Sequence, residues 1–572
     1  METFSNIMNE KNCKSYTPYG ISNNDDLGLV ALDSQCIGNR GIKTNCGISD
    51  ENLEELYNII INNIKNKTIK EEKKIYVSYL VKLIFKIRDI KDGNGERDIF
   101  YKLLLKLYII QPEIVKYSLF YLIGGYDFNN NNEKIDETPP GSFLDLNNLY
   151  KLCCINKNNE ILKDFILNIY KNTLILDDCD ELINYPSLAS KWAPRESSSL
   201  NKKYFMMKKL TEKMYGNSCS DNLKKYRKLI CKLSTKLGVL EKLMCSNNWD
   251  NIEIKNIPSK AFLKYIKAFK YINKDGTVRT PSKEERIRFR NKILSELELA
   301  KKNPSLSQIN TKTLMPYEMV CHVINYNDSI DIEHYNSLWE KYVFDFKESL
   351  GGQIKPGLCL ADVSGSMSGI PMEVCIALSI LLSNIINGPL NKKVITFTEE
   401  PTWHNITGSS LKEQVDSLKS ADWGGSTNFG KALNLILNTA VNNNLKQSDL
   451  PEILYVFSDM QWDEACGSNS YYKSYTDTFL TGYESIKQAY TTAGYIIPHI
   501  VFWNLRNTNN YNNKSNQKGT TMMSGFSANM FKSFLEGTFV LEATPWDTLK
   551  DILDKDRYTS LDNIISKHYI DI

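Results

Sequence analysis

The apolar residues of this 572-residue chain change their spacing at Gly351, and no other pattern in the sequence narrows the choice of folds as much. Before Gly351 they recur at helical spacing in segment after segment, as in residues 53–60, 201–215 and 220–246, each of which predicts a helix. After it, four short apolar runs, 358–361, 394–397, 453–457 and 496–502, alternate with amphipathic segments of helical length. The sequence therefore predicts an all-α region followed by an α/β region.

This change divides the chain into three predicted domains. Residues 1–47 are polar and keep no sustained period, which indicates an irregular N-terminal arm. Residues 48–350 contain predicted helices in antiparallel succession, which is typical of an irregular helical-repeat solenoid or ring. Residues 351–572 predict a doubly wound parallel sheet with helices on both faces. Ligands bind beside the carboxyl ends of such strands, so the functional side chains should follow the strands.

Neither a membrane segment nor a disulfide framework is predicted. The N-terminus has no basic start and no apolar stretch, which argues against a secretory signal. The strongest apolar run, 374–386, is thirteen residues long, against about 20 for a membrane-spanning helix. The thirteen cysteines include no Cys-x-x-Cys pair, which favours reduced thiols. We therefore expect a cytoplasmic, intracellular protein with no membrane partner.

A net charge of +3 conceals one strongly basic segment. Residues 191–310 contain 28 Lys and Arg residues against 11 Asp and Glu residues, an excess of 17 positive charges. A potential of this sign attracts polyanions and indicates nucleic-acid binding. A solvated lysine-rich surface and a docking face for an acidic partner are the alternatives. Lysine outnumbers arginine by 59 to 11, which suits phosphate contacts better than base reading and suggests an AT-biased coding sequence.

Eight cations of this segment are candidates for phosphate contacts. Arg286 and Arg290 are four residues apart and share a face if the segment is helical. The candidate nucleic-acid-binding residues are Lys191, Arg195, Lys224, Lys225, Arg227, Lys228, Arg286 and Arg290.

Oxygen donors follow the predicted strands of the α/β region. Asp362 ends the first strand, and Ser364 and Ser366 follow at alternate positions in the turn before a predicted helix. One carboxylate and two hydroxyls on the same side of a turn are ligands that a hard cation such as Mg²⁺ or Mn²⁺ prefers. Two later loops, 424–428 and 457–459, add further hydroxyl and carboxylate oxygens. A capped turn is the alternative, since Asp and Ser favour caps as well.

This constellation resembles the metal-ion-dependent adhesion site of von Willebrand factor A domains, over residues 351–555. The resemblance implies that Ser364, Ser366 and Thr427 bind the ion directly, while Asp362 and Asp459 hold it largely through waters. It also implies an open sixth position for an acidic group or phosphate of a partner. The family usually has threonine directly after the glycine pair, whereas Ser426 intervenes here, so Ser426 is the alternative ligand.

The helical region carries motifs of its own, which read IKDGNGER at 90–97, KWAPRE at 191–196, YRK at 226–228 and IPSKA at 257–261. With the metal-site domain, they resemble an uncharacterised family of helical-plus-von-Willebrand-A proteins found in plants, fungi, bacteria and large DNA viruses. The chain is also similar, more distantly, to the TROVE-domain Ro autoantigen proteins, in which a von Willebrand A domain closes a ring of HEAT-like helices. Those proteins bind structured RNAs, so the resemblance implies an RNA-binding role.

No enzyme motif is found in the sequence. Ser364 is not part of a Gly-x-Ser-x-Gly elbow, and the dinucleotide fingerprint is missing. Residues 425–431 have the spacing Gly-x-x-x-x-Gly-Lys, but Ala432 stands where a phosphate loop requires Ser or Thr. We expect a non-enzymatic RNA-binding scaffold, a ribonucleoprotein component, whose Mg²⁺ or Mn²⁺ site takes the acidic group of a second partner. The alternative is a metal-dependent protein-interaction module without nucleic-acid binding. A hydrolase also stays open, because a single metal ion with an open position can polarise a phosphate. A viral source would add the virion as a location.

Overall fold

The structure is a computed structural model, and it describes residues 28–30, 32–33, 49–124, 126–127, 133–134, 139–155, 159–179, 186–273, 276–325, 329–351, 354–362, 364–396, 400–421, 429–459, 475–506, 518–535 and 543–572. These residues are mostly helical and include a six-stranded mixed sheet, in agreement with the predicted α and α/β composition.

The chain separates into two compact units. The first takes residues 1–99, 296–558 and 571–572, and the second takes residues 100–295 and 559–570. The breaks between the units fall at other positions than residues 47 and 350, so the predicted domain boundaries stay a prediction. Most of the predicted arm, 1–47, lies outside the described residues.

Strands and helices are numbered along the chain. The described strands are β1 (Tyr126–Asp127), β2 (Glu133–Lys134), β3 (Gly357–Ala361), β4 (Lys393–Thr396), β5 (Trp403–Asn405), β6 (Ile453–Ser458), β7 (His499–Asn504) and β8 (Thr520–Ser524). The helices of the first half are α1 (Asp50–Asn66), α2 (Lys70–Arg88), α3 (Asp98–Ile110), α4 (Pro112–Ile123), α5 (Phe143–Ile155), α6 (Glu160–Asp178), α7 (Ala189–Trp192), α8 (Ser199–Tyr204), α9 (Met206–Tyr215), α10 (Ser220–Lys236), α11 (Leu240–Cys245) and α12 (Ser259–Lys270). They are followed by α13 (Glu284–Lys302), α14 (Pro316–Asn325), α15 (Ser329–Ser349), α16 (Ile370–Ile385), α17 (Leu411–Lys419), α18 (Phe429–Asn442), α19 (Tyr475–Thr492), α20 (Lys532–Leu535), α21 (Pro545–Leu553) and α22 (Asp556–His568).

The first unit contains the six-stranded sheet, in the order β5-β4-β3-β6-β7-β8. Strands β4, β3, β6, β7 and β8 are parallel, and β5 is antiparallel to β4. Every residue of β3, β6 and β7 is buried, which requires cover on both faces and explains why apolar runs predicted these strands. Ala361 of β3 pairs with Phe457 of β6, so the residues that follow these two strands lie side by side.

Helices cover this sheet within the first unit. Helix α16 has proline in its first turn and is apolar almost throughout, and it packs on β3 and β4. Helix α14 packs in turn on α16, and α21 packs on β8 and on α2. The first unit therefore combines the sheet with helices from both ends of the chain.

Polar contacts fix the segment after α2, which carries the IKDGNGER motif, to the rest of the first unit. Asp89 has no exposed surface, and its Oδ1 accepts a hydrogen bond from Arg557 Nη2 at 2.7 Å. Asn94 is also fully buried, and its Nδ2 donates to the Ser524 carbonyl at the end of β8, at 2.9 Å. These contacts give the motif a structural explanation, because each buried polar group needs its partner.

The second unit is helical apart from the β1–β2 hairpin among its described residues. Helix α5 packs on α6, α6 on α9, and α7 on α10. The segments 201–215 and 220–246, which the sequence predicts as single helices, are each interrupted. Phe205 adopts a left-handed conformation with φ of 55°, and Gly238 has φ of 64°. A right-handed helix cannot continue through such residues, so each segment contains two helices.

Two expectations from the sequence, on membrane segments and on cysteines, can be compared with the described residues. None of the helices in the described ranges combines the length and the apolar content that crossing a membrane requires. Nine cysteines lie in the described residues, and all nine are free thiols.

Candidate functional site

Two buried carboxylates lie at the carboxyl ends of the adjacent parallel strands β3 and β6. Asp362 is 1% exposed and Asp459 is 0% exposed. The Oδ1 of Asp362 accepts a hydrogen bond from the main-chain N–H of Ser364 at 2.9 Å, and its Oδ2 accepts one from the Ser458 hydroxyl at 2.6 Å. The pairing of the two strands therefore brings the predicted Asp362 loop and the predicted Asp459 loop together.

The hydroxyls of Ser364 and Ser366 have the spacing of two metal ligands. A short 3₁₀ turn at Gly365–Met367 is anchored by the buried Met367 side chain, and the two hydroxyls are hydrogen-bonded to each other with their Oγ atoms 2.9 Å apart. Adjacent ligand oxygens in an octahedron around Mg²⁺, at about 2.05 Å from the ion, are themselves about 2.9 Å apart. Both hydroxyls can therefore bind one hard cation without a change in their separation.

The charge around Asp362 also suits a cation. Burial raises the pKa of Asp362, and the nearby Asp459 carboxylate adds to the rise, while hydrogen bonds from Ser458 and Ser364 oppose it. No Lys or Arg of the described residues forms an ion pair with Asp362. A negative group in a low-dielectric environment without a positive partner is unfavourable, and a bound cation would remove that penalty.

Arg506 is a residue of this site that the sequence analysis missed. It follows β7, where its main-chain N–H donates to Asn504 Oδ1 at 2.9 Å. Its guanidinium donates to the main-chain carbonyl of Ser366, which ties the serine turn to the end of β7. Arg506 is the one arginine of the sequence between residues 351 and 556, and it stands directly after a strand. An isolated arginine directly after a predicted strand was the sequence signal that could have identified it.

The predicted ligand loop 424–428 lies outside the described residues. Thr427 and its alternative Ser426 lie outside the described residues, with the rest of 422–428. Four predicted metal residues are therefore placed, namely Asp362, Ser364, Ser366 and Asp459. Within the described ranges, no group of three or more His, Cys, Asp or Glu side chains could hold a metal ion. Metal binding here would depend on hydroxyl oxygens.

Helix α10 carries most of the exposed cations that were predicted to bind nucleic acid. The buried side of this helix includes Tyr226, at 1% exposure, and Ile230, at 2%. Its exposed side carries Lys224, Lys225, Arg227 and Lys228. Because apolar and charged residues alternate with the helical period, these four cations form one surface, which we call the α10 surface.

Acidic neighbours neutralise part of this charge. Arg227 Nη1 lies 2.8 Å from Glu196 Oε2, and Lys224 Nζ lies 3.4 Å from Asp221 Oδ1. Lys225 has no ion-pair partner among the described residues, and the same holds for Lys228. Lys191, outside α10, has its Nζ 4.0 Å from Glu241 Oε2. The α10 surface keeps a net positive charge.

The arginines of α13 have different surroundings. The guanidinium of Arg286 lies between the rings of Trp249 and Tyr271, at 3.6 and 4.1 Å from their centres, and donates to the Ala268 carbonyl at 2.7 Å. Burial lowers the pKa of Arg286. These contacts already occupy both faces of the guanidinium, which gives Arg286 a packing role that its spacing did not indicate. Arg290 is half-buried, and its Nη1 contacts Asn291 Oδ1 at 3.2 Å.

Comparison with known proteins gives two matches. A family model described as "Domain of unknown function (DUF7788)" matches residues 357–563, which contain the sheet and the four placed metal residues. "Uncharacterized protein L728" of Acanthamoeba polyphaga mimivirus is 30% identical over 489 residues, which cover 83% of this chain and 79% of that protein. The resemblance to an uncharacterised family with members in large DNA viruses is confirmed to that extent.

Proposed function

Because the chain belongs to the family of the uncharacterised mimivirus protein L728, and that name states no activity, we propose a function from the site. The protein is a non-enzymatic scaffold that binds the acidic group of a partner through a divalent cation. The cation is held at the carboxyl ends of β3 and β6, in a C-terminal domain of the von Willebrand factor A type. The observation that supports this proposal is the 2.9 Å separation of the Ser364 and Ser366 hydroxyls beside two buried carboxylates.

The donor set favours Mg²⁺ or Mn²⁺. In the proposal, Ser364 and Ser366 bind the ion directly, and Asp362 and Asp459 hold its water ligands. Thr427, or Ser426 in its place, supplies the third direct ligand that the family resemblance implies. Mg²⁺ keeps part of its hydration shell in proteins, so a set of neutral hydroxyls with carboxylates behind them suits it. A remaining position is left for a carboxylate or phosphate oxygen from the partner.

Mn²⁺ titration of the full chain, followed by electron paramagnetic resonance, tests the site. Ser366→Ala removes a direct ligand, and we expect Mn²⁺ affinity to fall about tenfold or more. Ser368→Ala is the matched control, because Ser368 lies in the same turn at the next alternate position and is exposed. Its affinity should equal that of the unchanged protein.

Two results would contradict the metal proposal. One is the lack of any Mn²⁺ binding at millimolar concentration by the unchanged chain. The other is an equal loss of affinity in Ser366→Ala and Ser368→Ala, because general damage to the turn would then explain both. Asp362→Asn serves as a second variant and should weaken binding while the far-ultraviolet circular dichroism of the chain stays the same.

We infer RNA binding as a second function, and the α10 surface supports it. Lys225 and Lys228 have no acidic partner among the described residues, so they are available to phosphates. Their lysine chemistry suits backbone contacts, so binding should follow RNA shape more than sequence. In a HEAT-like helical region of the TROVE type, this surface would bind RNA while the metal site binds a protein.

The salt dependence of RNA binding separates this function from the protein-interaction alternative. On a single strand, each phosphate contact contributes about 0.7 to the slope of log affinity against log salt. The double variant Lys225→Gln, Lys228→Gln should therefore lower the slope by about 1.4. Lys255→Gln is the control, because Lys255 is exposed in the same basic segment but lies 3.4 Å from Glu253. A flat salt dependence in the unchanged chain would leave the protein-interaction module as the function.

A further inference from the structure

The second unit contains an open cavity of about 630 Å³ beside α10, and the charged side chains that line it are exposed. This volume lies within the range of about 300–1,000 Å³ that is typical of small-ligand sites. Its lining combines exposed charged side chains with buried apolar ones. The lining side chains include Arg195, Glu196, Lys202, Met207, Arg227 and Ile230.

Hydrogen bonds hold the walls of this cavity in place. The buried Tyr226 hydroxyl donates to the Pro194 carbonyl at 3.0 Å, which fixes the chain just before Arg195. Arg195 Nη2 in turn donates to the Ser234 hydroxyl at 3.3 Å. The cavity is therefore formed before any ligand arrives, and binding need not order a loop.

The Asn201 side chain joins two further segments that line the cavity, one with Glu196 and one with Met207. Its Oδ1 accepts a hydrogen bond from the main-chain N–H of Met207 at 3.1 Å, and its Nδ2 donates to the Glu196 carbonyl at 3.4 Å. The Asn201 side chain thus holds the segment of Glu196 next to the start of α9, which carries Met207.

The charges of the cavity match a phosphate monoester. Arg195, Lys202 and Arg227 contribute three positive charges and Glu196 one negative charge, a net charge of +2. A phosphate monoester carries about −1.5 to −2 at neutral pH. Planar guanidinium groups bind phosphate oxygens in pairs, and a phosphate at Arg227 competes with the Glu196 carboxylate, whose Oε2 lies 2.8 Å from Nη1.

We propose that this cavity binds the terminal phosphate of a nucleotide. The phosphate lies between Arg195 and Arg227, and the nucleoside lies in the open part of the cavity, above the buried Met207 and Ile230. A free mononucleotide and the 5′ end of an RNA present the same group. In the second case the site rests on the RNA binding proposed above; in the first it is independent of it.

Four probes distinguish these sources with the full-length chain. They are a 5′-phosphorylated hexauridylate, the same hexamer with a 5′-hydroxyl, uridine monophosphate and uridine. Isothermal titration calorimetry gives each affinity. We expect the phosphorylated member of at least one pair to bind about tenfold tighter or more, because it adds charge-assisted hydrogen bonds. A preference in the hexamer pair alone assigns the site to RNA ends, and a preference in the mononucleotide pair alone assigns it to free nucleotides.

Three variants connect the preference to the cavity. Arg227→Gln should reduce the ratio of affinities to near one. Lys225→Gln, two residues away on α10 with the same change of charge, should lower both hexamer affinities and leave their ratio unchanged. Glu196→Gln should increase affinity for the phosphorylated probe, because it removes the competing carboxylate; a misfolded variant would not gain affinity.

Two results would overturn the cavity proposal. Equal affinity for both members of both pairs removes it, even where both hexamers bind and RNA binding itself stands. A preference that persists in Arg227→Gln and does not increase in Glu196→Gln also removes it, because the phosphate would then be bound elsewhere. If neither hexamer binds but uridine monophosphate still binds tighter than uridine, the RNA proposal is refuted and the cavity proposal stands.

Discussion

Replacing Asp89 by asparagine tests whether the ion pair after α2 stabilises the first unit. Asp89 is fully buried, and the Arg557 side chain that contacts it is 12% exposed. Asparagine keeps the shape of the side chain. Its Oδ1 can still accept the hydrogen bond that Asp89 Oδ1 receives from the main-chain N–H of Lys91 at 3.0 Å. The substitution removes the charge, and it also replaces the Oδ2 atom that accepts hydrogen bonds from Arg557 Nε and the Tyr558 hydroxyl by an amide donor.

The contacts of Arg557 set the expected magnitude. Removing one partner of a buried ion pair costs about 3–5 kcal/mol, because the other charge stays buried. Arg557 retains a second carboxylate, Asp92, whose Oδ2 lies 3.2 Å from Nε and which is 40% exposed. We therefore expect a loss at the lower end, about 3 kcal/mol in the free energy of unfolding. Asp92→Asn is the matched control and should cost about 0–1 kcal/mol, as exposed ion pairs do.

Urea unfolding of the full chain measures both variants. Circular dichroism and tryptophan fluorescence are recorded together, and the two units are fitted as separate steps, since a chain of two units need not unfold in one. Asp89→Asn should shift the step of the first unit and leave that of the second unit unchanged. Equal free energies of unfolding for Asp89→Asn and Asp92→Asn, within about 0.5 kcal/mol, would refute the argument that burial of the pair decides its contribution.

Three further changes have defined outcomes. In Gly93→Ala the new Cβ would lie 2.0 Å from the Lys86 carbonyl oxygen, so we expect the urea step of the first unit to lose at least about 3 kcal/mol. Tyr226→Phe removes the hydrogen bond to Pro194 and should cost the second unit about 1 kcal/mol in the same assay. Backbone and hydroxyl hydrogen bonds at the start of α17 lower the pKa of Glu413 from its ordinary 4.5 to about 2, so the stability that it contributes is present above about pH 4.5 and is lost as pH falls towards 2. Glu413→Gln should abolish this part of the acid dependence, and thermal melts of both proteins from about pH 5 to 2 would show whether their difference shrinks with pH.

The strands that the sequence predicts are those that are buried on both faces. Continuous apolar runs predicted β3, β4, β6 and β7, because such strands have no polar face. The two outer strands were missed. β5 has three residues, none of them buried, and β8 has the sequence TTMMS, in which hydroxyl side chains interrupt the apolar pattern. Short or polar strands at the edges of a sheet leave no periodic signal in the sequence. The antiparallel direction of β5 could not be predicted from the sequence for the same reason.

Helix ends and long-range polar contacts also lie beyond what sequence patterns predict. Phe205 interrupts a predicted helix with a left-handed conformation for which phenylalanine has no intrinsic preference. The Asn201 side chain spans this break, because its Oδ1 accepts a hydrogen bond from the Met207 N–H at 3.1 Å. The spacing of Asp362, Ser364 and Ser366 was visible because the three residues are adjacent in sequence. The contact between Arg506 and Ser366 joins residues 140 positions apart, and periodicity contains no information on such pairs. Local chemistry could therefore be predicted, and its long-range partners could not.

Asp89 and Asp362 have the same side chain and nearly the same burial, but their surroundings differ in a way that separates packing from ligand binding. Asp89 is neutralised within the chain, by the guanidinium of Arg557. Asp362 has hydrogen bonds from Ser364 and Ser458 and no cationic partner among the described residues, and a second carboxylate lies beside it. A carboxylate buried without a positive charge is unfavourable, and a chain that needed Asp362 only for packing could supply a lysine or an apolar residue instead. The position is explained if the positive charge comes from solvent as a divalent cation, and the adjacent pair of hydroxyls supplies the ligands that such an ion requires.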